Sequence, residues 1–321
     1  MKIKKIISIA ILTIIIMNIA IVLIPENNVQ ATDTKIGTQK IANIVVFIEF
    51  QDTDHTTHNT KCFINNESTT FQYFNGEDGY EKGLKTYLNK IFYGQLDVQN
   101  IFPQYNETTK KIITYKARNN RQYYETNVNE LIAEIAQDIN NNGTINNNEI
   151  LDYNNDRNID NLTLILASGN NINETSYKAT YEGSASIKGK FVNSYNVLHE
   201  SSIYGSLQNS GVIIHEFLHT VGYPDLYRGG AYSGVPVGPW DIMASVNTFV
   251  QYPLAYFRST ITNWFTIPTV SESKKNYTLY AASKTTYETR NQQAVIIKTP
   301  YSDTEFFVVE YRKKENNNNK I

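Results

Sequence analysis

Residues 211–225, GVIIHEFLHTVGYPD, decide the fold prediction. The first four residues are apolar and predict a buried helix that starts after Ser210, a candidate N-cap. Residues four apart lie on the same face of a helix, so His215 and His219 can offer their imidazole nitrogens to one metal ion. Glu216 lies beside this pair, within reach of a water at the metal. The arrangement is typical of zinc hydrolases.

The end of the stretch predicts a third ligand. Gly222 tolerates the positive φ of a helix C′ position, and Pro224 cannot continue the helix, so the chain should turn there. The turn can bring Asp225 back to the metal. Two imidazoles and one carboxylate leave a fourth position open, as in catalytic zinc sites. Two alternatives stay open: a helix that contains the pattern by chance, and a glutamate further along the chain in place of Asp225.

The N-terminus predicts export. Three lysines within the first five residues precede an apolar run from Ile6 to Ile24, and small residues follow at 29–31. Residues 1–31 are therefore predicted to be a signal peptide. The run is also long enough to span a bilayer, so the alternative is an uncleaved anchor. We expect a secreted extracellular protein, or one anchored to the outer face of the cytoplasmic membrane, with membrane contact only if the run stays uncleaved.

Composition excludes some classes of partner. The net charge of −2 and the pI near 6.2 give no electrostatic basis for nucleic-acid binding. The single cysteine, Cys62, excludes an intrachain disulfide framework. The hydrophobic fraction of 41% supports a packed core.

The pattern of the mature chain predicts an α+β fold with a twisted, mainly parallel sheet backed by helices. The predicted strands cover residues 41–50, 110–116, 162–167 and 195–198. The predicted helices cover residues 79–94, 125–139 and about 253–264. Alternating apolar residues predict a small C-terminal antiparallel pair, from Val295, Ile297, Phe307 and Val309. Residues 32–321 are expected to form one catalytic domain, with an upper subdomain at about 41–222 and a lower one at about 223–312.

Two asparagine-rich and aspartate-rich segments match calcium-loop spacing. The first fits the template residue for residue, with candidate ligands Asp138, Asn140, Asn142 and Glu149. The second has an oxygen-bearing side chain at every second residue, with candidate ligands Asp152, Asn154, Asp156 and Asp160. The alternative is that an asparagine-rich chain matches such templates by accident.

Residues 239–244, PWDIMA, carry a methionine about eighteen residues after the predicted ligands. Together with the helix stretch, they resemble the metzincin zinc endopeptidases. More closely, residues 215–227 and 240–244 look like the immune inhibitor A family of secreted bacterial metallopeptidases, and the resemblance extends over most of residues 41–312.

This resemblance implies an activity and a set of site residues. His215, His219 and Asp225 would bind one zinc ion, Glu216 would be the general base, and Met243 would form a turn under the metal. The expected activity is endopeptidase cleavage of protein or peptide substrates by a zinc-activated water. The alternative function is a catalytically inactive, calcium-dependent binding module that keeps the peptidase fold.

One further prediction concerns substrate binding. In zinc peptidases an edge strand beside the active-site helix often binds the substrate backbone. The strand at residues 195–198 ends at His199, so His199 could lie at such an edge or be an ordinary polar residue at a strand end.

Overall fold

The computed structural model describes residues 38–53, 67–76, 80–103, 105–106, 108–109, 111–167, 176–204, 210–228, 234–246, 250–271 and 276–313. The predicted signal peptide or anchor and Cys62 lie outside these ranges. Within them, no helix combines the length and the apolar character needed to cross a membrane. Internal contacts divide the described chain into two compact units, residues 38–251 and residues 252–313. The predicted division into an upper and a lower subdomain near residue 222 stays a prediction.

The first unit contains a central sheet and the helices that cover it. Its strands are β1 (Gln39–Glu49), β2 (Leu96–Ile101), β3 (Tyr105–Asn106), β4 (Lys111–Ile112), β5 (Tyr115–Lys116), β6 (Leu162–Leu166), β7 (Tyr177–Thr180), β8 (Ser186–Ile187), β9 (Lys190–Phe191) and β10 (Ser194–His199). Its α-helices are α1 (Glu67–Asn75), α2 (Leu84–Ile91), α3 (Arg121–Glu125), α4 (Val128–Asn142), α5 (Glu200–Tyr204) and α6 (Gly211–Val221). A short 3-10 helix spans Gly238–Trp240.

The central sheet is mainly parallel, as the sequence predicts. Its strand order is β2-β1-β6-β10-β7, and β5 pairs with the end of β1. All pairs are parallel except that β7 runs antiparallel to β10. Residues 41–49 of β1 are buried without a break, because the strand is covered on both faces. The fold is thus a mixed α/β architecture, and the one antiparallel strand of its central sheet, β7, forms an edge of that sheet.

Helices α2 and α4 each bury one apolar stripe. In α2 the buried residues fall at positions i, i+3, i+4 and i+7, namely Leu84, Tyr87, Leu88 and Ile91. Helix α2 is shorter than the predicted span of 79–94. It begins after Gly83, where a Cβ would lie 2.3 Å from the backbone nitrogen of Gly76. Only glycine fits this close approach of two backbone segments, and the helix starts beyond it.

Several elements differ from the sequence prediction. The predicted strand at 110–116 is two short strands, β4 and β5, that pair with different partners. Strands β2 and β7 and helix α1 were not predicted. Helix α4 extends three residues past the predicted end at 139, and Gly143 caps it with φ 61°.

The second unit contains α7 (Ala255–Thr262), two 3-10 helices (Ala282–Lys284 and Arg290–Gln292), and the strands β11 (Ala294–Lys298) and β12 (Phe306–Glu310). The two strands pair antiparallel, with Val295 opposite Val309 and Ile297 opposite Phe307. This register confirms the predicted C-terminal pair. Helix α7 lies within the predicted span of 253–264.

Candidate metal centre

Helix α6 carries the two histidines and ends where the sequence predicts. It begins after Ser210, but the Ser210 hydroxyl donates to the Lys82 carbonyl and does not cap the helix. At the other end Gly222 has φ 101°, in the left-handed region. The N–H of Tyr223 then donates to the Leu218 carbonyl at 3.1 Å, which closes the helix end. The chain therefore reverses at Gly222.

The reversal brings the three predicted ligands together. Nε2 of His215 lies 3.1 Å from Oδ1 of Asp225, and Nε2 of His219 lies 3.3 Å from the same oxygen. Two atoms bound at about 2.0–2.1 Å to one tetrahedral zinc ion are about 3.3 Å apart. In the described part of the chain, this is the one group of three or more His, Cys, Asp or Glu residues whose ligand atoms lie within 4.8 Å of one another.

Backbone carbonyls fix both imidazole rings. Nδ1 of His215 lies 2.9 Å from the Ile242 oxygen, and Nδ1 of His219 lies 2.6 Å from the Tyr223 oxygen. A carbonyl oxygen only accepts hydrogen bonds, so in the neutral tautomer assigned by these contacts Nδ1 carries the proton. Each Nε2 then presents a lone pair toward Asp225. Such outer hydrogen bonds orient metal-binding histidines, so the group is a donor set that suits a cation.

The turn containing Met243 is joined to both sides of this group. Besides the Ile242 carbonyl, which holds His215, the Met243 carbonyl accepts from the N–H of Leu226 at 2.9 Å, next to Asp225. The N–H of Met243 donates to the Asp241 carboxylate at 2.8 Å. The Met243 side chain is fully buried. The turn therefore helps to position two predicted ligands: His215 through the Ile242 carbonyl, and Asp225 through its neighbour Leu226.

A cavity of about 390 Å³ opens beside the group. Residues of the edge strand β7 form one wall, and the lining also includes Glu216, His219, Asp225 and Tyr227. The ring of Tyr227 stacks on that of His215, with the centroids 6.4 Å apart. The Glu216 side chain is thus largely buried, and it lines a cavity that is open to solvent.

Burial and neighbouring charges shift the pKa values in this cavity. Burial, followed by the negative charge of Asp225, raises the pKa of Glu216 to about 7. Burial lowers the pKa of His215. Burial also lowers the pKa of Lys178 to about 8, against the opposing effect of the Glu216 charge. Burial and the Asp225 charge raise the pKa of Tyr227 to about 12.

The edge strand beside the helix is β7 rather than β10. His199 ends the inner strand β10, and its Nδ1 lies 2.8 Å from the Arg121 guanidinium. His199 is thus a buried residue at a strand end, and the alternative that it lies at the edge is wrong. Strand β7 was missed because its four residues, YKAT, are too short a run to establish an alternation, and none of them is a buried core residue. Lys178 in β7 was missed with it.

The first candidate calcium segment is largely helical. Asp138, Asn140 and Asn142 all lie on α4, where successive residues point in directions about 100° apart. The amide of Asn142 donates to the Asp138 carboxylate at 2.8 Å, and the Asn140 amide donates to the Ser186 carbonyl at 2.8 Å. Glu149 lies beyond the helix end. Of the four candidate ligands, Asp138 and Asn142 are hydrogen-bonded to each other, and calcium binding by this segment stays a prediction.

The second candidate segment forms a tight loop around the buried Asp152 carboxylate. This carboxylate accepts from the N–H groups of Asp156 and Arg157 and from the Lys190 ammonium at 2.7 Å. The hydrogen bond from Lys190 is the main cause of the lowered pKa of Asp152. Two other candidate ligands bond within the segment, since the Asn154 side-chain amide donates to the Asp156 carboxylate and the Asn154 Oδ1 accepts from the N–H of Asp156.

Asp160 also faces backbone donors. Its carboxylate accepts from the N–H of Ala42 at 2.8 Å and from that of Tyr153 at 3.2 Å. The acidic side chains of this segment therefore stabilise the loop itself, and calcium binding there stays a prediction.

Comparison with protein-family models finds no matching family, and comparison with curated proteins finds no match.

Proposed function

We propose that this protein is a secreted, zinc-dependent endopeptidase with a metzincin-type catalytic domain. One observation carries the proposal: Nε2 of His215 and Nε2 of His219 lie 3.1 and 3.3 Å from the same Asp225 oxygen beside an open cavity. In the neutral tautomers assigned by the Nδ1 contacts all three atoms are acceptors, which repel one another at this distance unless a proton or a metal ion lies among them. The fixed Nδ1 contacts of His215 and His219 argue that the arrangement is built for a cation rather than for hydrogen bonding.

The donor set favours zinc. Two imidazoles and one carboxylate suit zinc better than calcium or magnesium, which prefer oxygen ligands. His215, His219 and Asp225 would hold the ion. When bound, it supplies Lewis-acid chemistry, polarising a substrate carbonyl and making a nearby water more acidic.

Glu216 lies where it can move a proton from the attacking water to the leaving amine. It follows His215 on α6, and its carboxylate lines the cavity. A base with a pKa near neutrality can accept a proton from water and deliver it to the leaving amine of a cleaved peptide. Glu216 is therefore the general base in our proposal.

Strand β7 offers a site for the substrate backbone. It pairs on one side with β10, and no described strand pairs with its other side. An extended peptide can add to such an edge by main-chain hydrogen bonds. Because Tyr177–Thr180 also line the cavity, a peptide added there would run past Glu216 and the three ligands. A mainly parallel sheet with one antiparallel edge strand beside the helix agrees with a metzincin-type domain.

The test is the substitution Glu216→Gln, assayed for hydrolysis of casein. Loss of general-base catalysis should lower the rate by at least about 100-fold, while the zinc content stays unchanged because Glu216 is not a ligand. The matched control is Glu305→Gln, which changes an exposed glutamate of the second unit. A fully active Glu216→Gln protein would contradict the proposal. A wild-type protein that binds zinc and cleaves nothing would favour the inactive binding module.

A further inference from the structure

Lys178 is the one cation among the described residues that line the cavity. It lies in the middle of the edge strand β7, between Tyr177 and Ala179. Its register partner on β10 is Asn196. The side chain is half-buried and points toward α6, as its contact with Thr220 shows. The mechanism proposed above does not use it.

A hydrogen-bond network holds the Lys178 ammonium in place. It donates to Thr220 Oγ1 at 2.9 Å and to Ser194 Oγ at 3.2 Å. The Thr220 hydroxyl donates to Asn161 Oδ1 at 3.0 Å, and the Asn161 amide donates to Asn43 Oδ1 at 2.9 Å. Asn161 and Asn43 are fully buried between strands. The network therefore removes much of the freedom that a surface lysine would have.

The network leaves capacity for a ligand. An ammonium has three N–H donors, and the two hydroxyls of Thr220 and Ser194 use two of them. No carboxylate forms an ion pair with Lys178 in the described structure. The other charged groups that line the cavity are Glu216, Asp225 and the histidine ligand His219, which all have roles in the proposed reaction.

We propose that Lys178 determines specificity by binding a substrate carboxylate close to the scissile bond, so that the enzyme prefers an Asp or Glu side chain there. This inference rests on the proposed function. A fixed, partly desolvated ammonium gains a charge-assisted hydrogen bond from a carboxylate. A neutral side chain in the same place gives the third N–H either an uncharged acceptor, as with Gln, or none, and both are weaker partners for an ammonium than a carboxylate.

The experiment uses peptides built on a sequence that the enzyme cleaves in casein. Members of the series differ at one position beside the scissile bond, which is Glu, Gln or Lys, and each is made with a free and with an amidated C-terminus. We expect kcat/KM for the Glu peptide to exceed that for the Gln peptide by about 10- to 100-fold. Amidation should not change this ratio. A preference that disappears on amidation would assign the carboxylate to the peptide terminus and overturn the side-chain proposal.

The substitution Lys178→Met should reduce the Glu/Gln ratio of kcat/KM to about 1, because the charge that separates the two peptides is gone. Lys178→Arg should keep a preference for Glu. The matched control is Lys111→Met, at an exposed lysine outside the cavity, and it should keep the full ratio. If Lys178→Met fails to fold, Lys178→Gln replaces it, because an amide can still donate to Thr220 without the charge.

A second readout does not depend on turnover. In the Glu216→Gln background, the Glu peptide should bind at least about 10-fold more tightly than the Gln peptide, and adding Lys178→Met should remove the difference. Equal cleavage and equal binding of both peptides by proteins with Lys178 would overturn the inference and leave the proposed function intact. An equal loss for both peptides in Lys178→Met would make Lys178 a positioning residue and overturn the specificity role. Absence of casein and peptide cleavage by the wild type would instead reject the proposed function.

Discussion

Two segments of this chain, residues 211–225 and residues 138–160, have metal-ligand residues at suitable spacing, but the fold arranges them differently. In the first, two nitrogens and one oxygen converge without a lysine or arginine partner among the described residues. In the second, the Asp152 carboxylate already contacts the Lys190 ammonium and two backbone N–H groups. In the first segment the acceptors face one another and have no lysine or arginine partner among the described residues, whereas in the second a lysine and backbone N–H groups already occupy them.

The difference shows what a spacing pattern requires. His215 and His219 lie on one helix, so their four-residue spacing becomes a shared face. Alternate residues suit a calcium loop only where the backbone is not helical, whereas Asp138 and Asn142 lie on α4. A template therefore predicts a site when the local secondary structure is the one for which the spacing was defined.

The largest expected effect is that of Asp225→Ala, which removes one of the three facing acceptors. Loss of a ligand should weaken zinc binding by at least about 100-fold, more than the loss of an outer hydrogen-bond partner. Zinc content after dialysis and competition with a chromophoric chelator would measure it. The control from the other segment is Asp152→Ala, which should keep the zinc. Unchanged zinc content in Asp225→Ala would favour the alternative in which a glutamate elsewhere is the third ligand.

A smaller effect is expected from Asp152→Asn, which removes the negative charge facing Lys190. The melting temperature should fall by several degrees, because the loop loses the charge facing the Lys190 ammonium and one of the two oxygens that accept from Lys190 and from two N–H groups. Asp138→Asn is the matched control, since the Asp138 side chain accepts from Asn142 on the helix surface, and it should change stability by less than about 0.5 kcal/mol. Equal melting temperatures for both variants would show that the Asp152 contacts do not stabilise the loop.

The stability difference between the wild type and Asp152→Asn should depend on pH. The folded protein holds the pKa of Asp152 below its usual value, so the unfolded chain binds this proton first as the pH falls. The stabilisation is therefore complete above the ordinary carboxyl pKa of about 4 and is lost below it. Denaturation curves measured at pH 7 should show the wild type to be more stable than Asp152→Asn. At pH 3 the two proteins should become more nearly equal in stability. A constant difference would contradict the assignment.

The smallest expected effect is that of calcium on the second segment. A weak extracellular-type site with a Kd of about 1 mM would add about 0.4 kcal/mol of stability at about 1 mM calcium. Because Lys190 contacts Asp152, we expect no more than this, measured as a shift in melting temperature. A larger rise that Asp152→Asn abolishes would show that calcium displaces the ammonium. Both segments would then bind metal, and the contrast between them would disappear.

The sequence alone was enough for the features that depend on local periodicity. The apolar run at 41–50 predicts a buried strand, and β1 covers 39–49. The helix through His215 and its end at Gly222 follow from residue spacing and from the one residue type that readily takes φ 101°. The same holds for α2 and α4, whose buried stripes recur at helical spacing, and for the alternating residues of β11 and β12.

Only the tertiary structure decided the features that depend on residues far apart in the chain. The carbonyl that orients His215 belongs to Ile242, 27 residues away, and carbonyl groups leave no mark on a sequence pattern. Strand β7 is an edge because β10 pairs with it, so nothing in its four residues predicts the position of Lys178. The asparagine-rich segment matched a loop by composition, but burial of Ile135 and Ile139 extends the helix through Asn142. Local spacing determined the histidine pair, and long-range packing determined which carbonyl groups and side chains surround it.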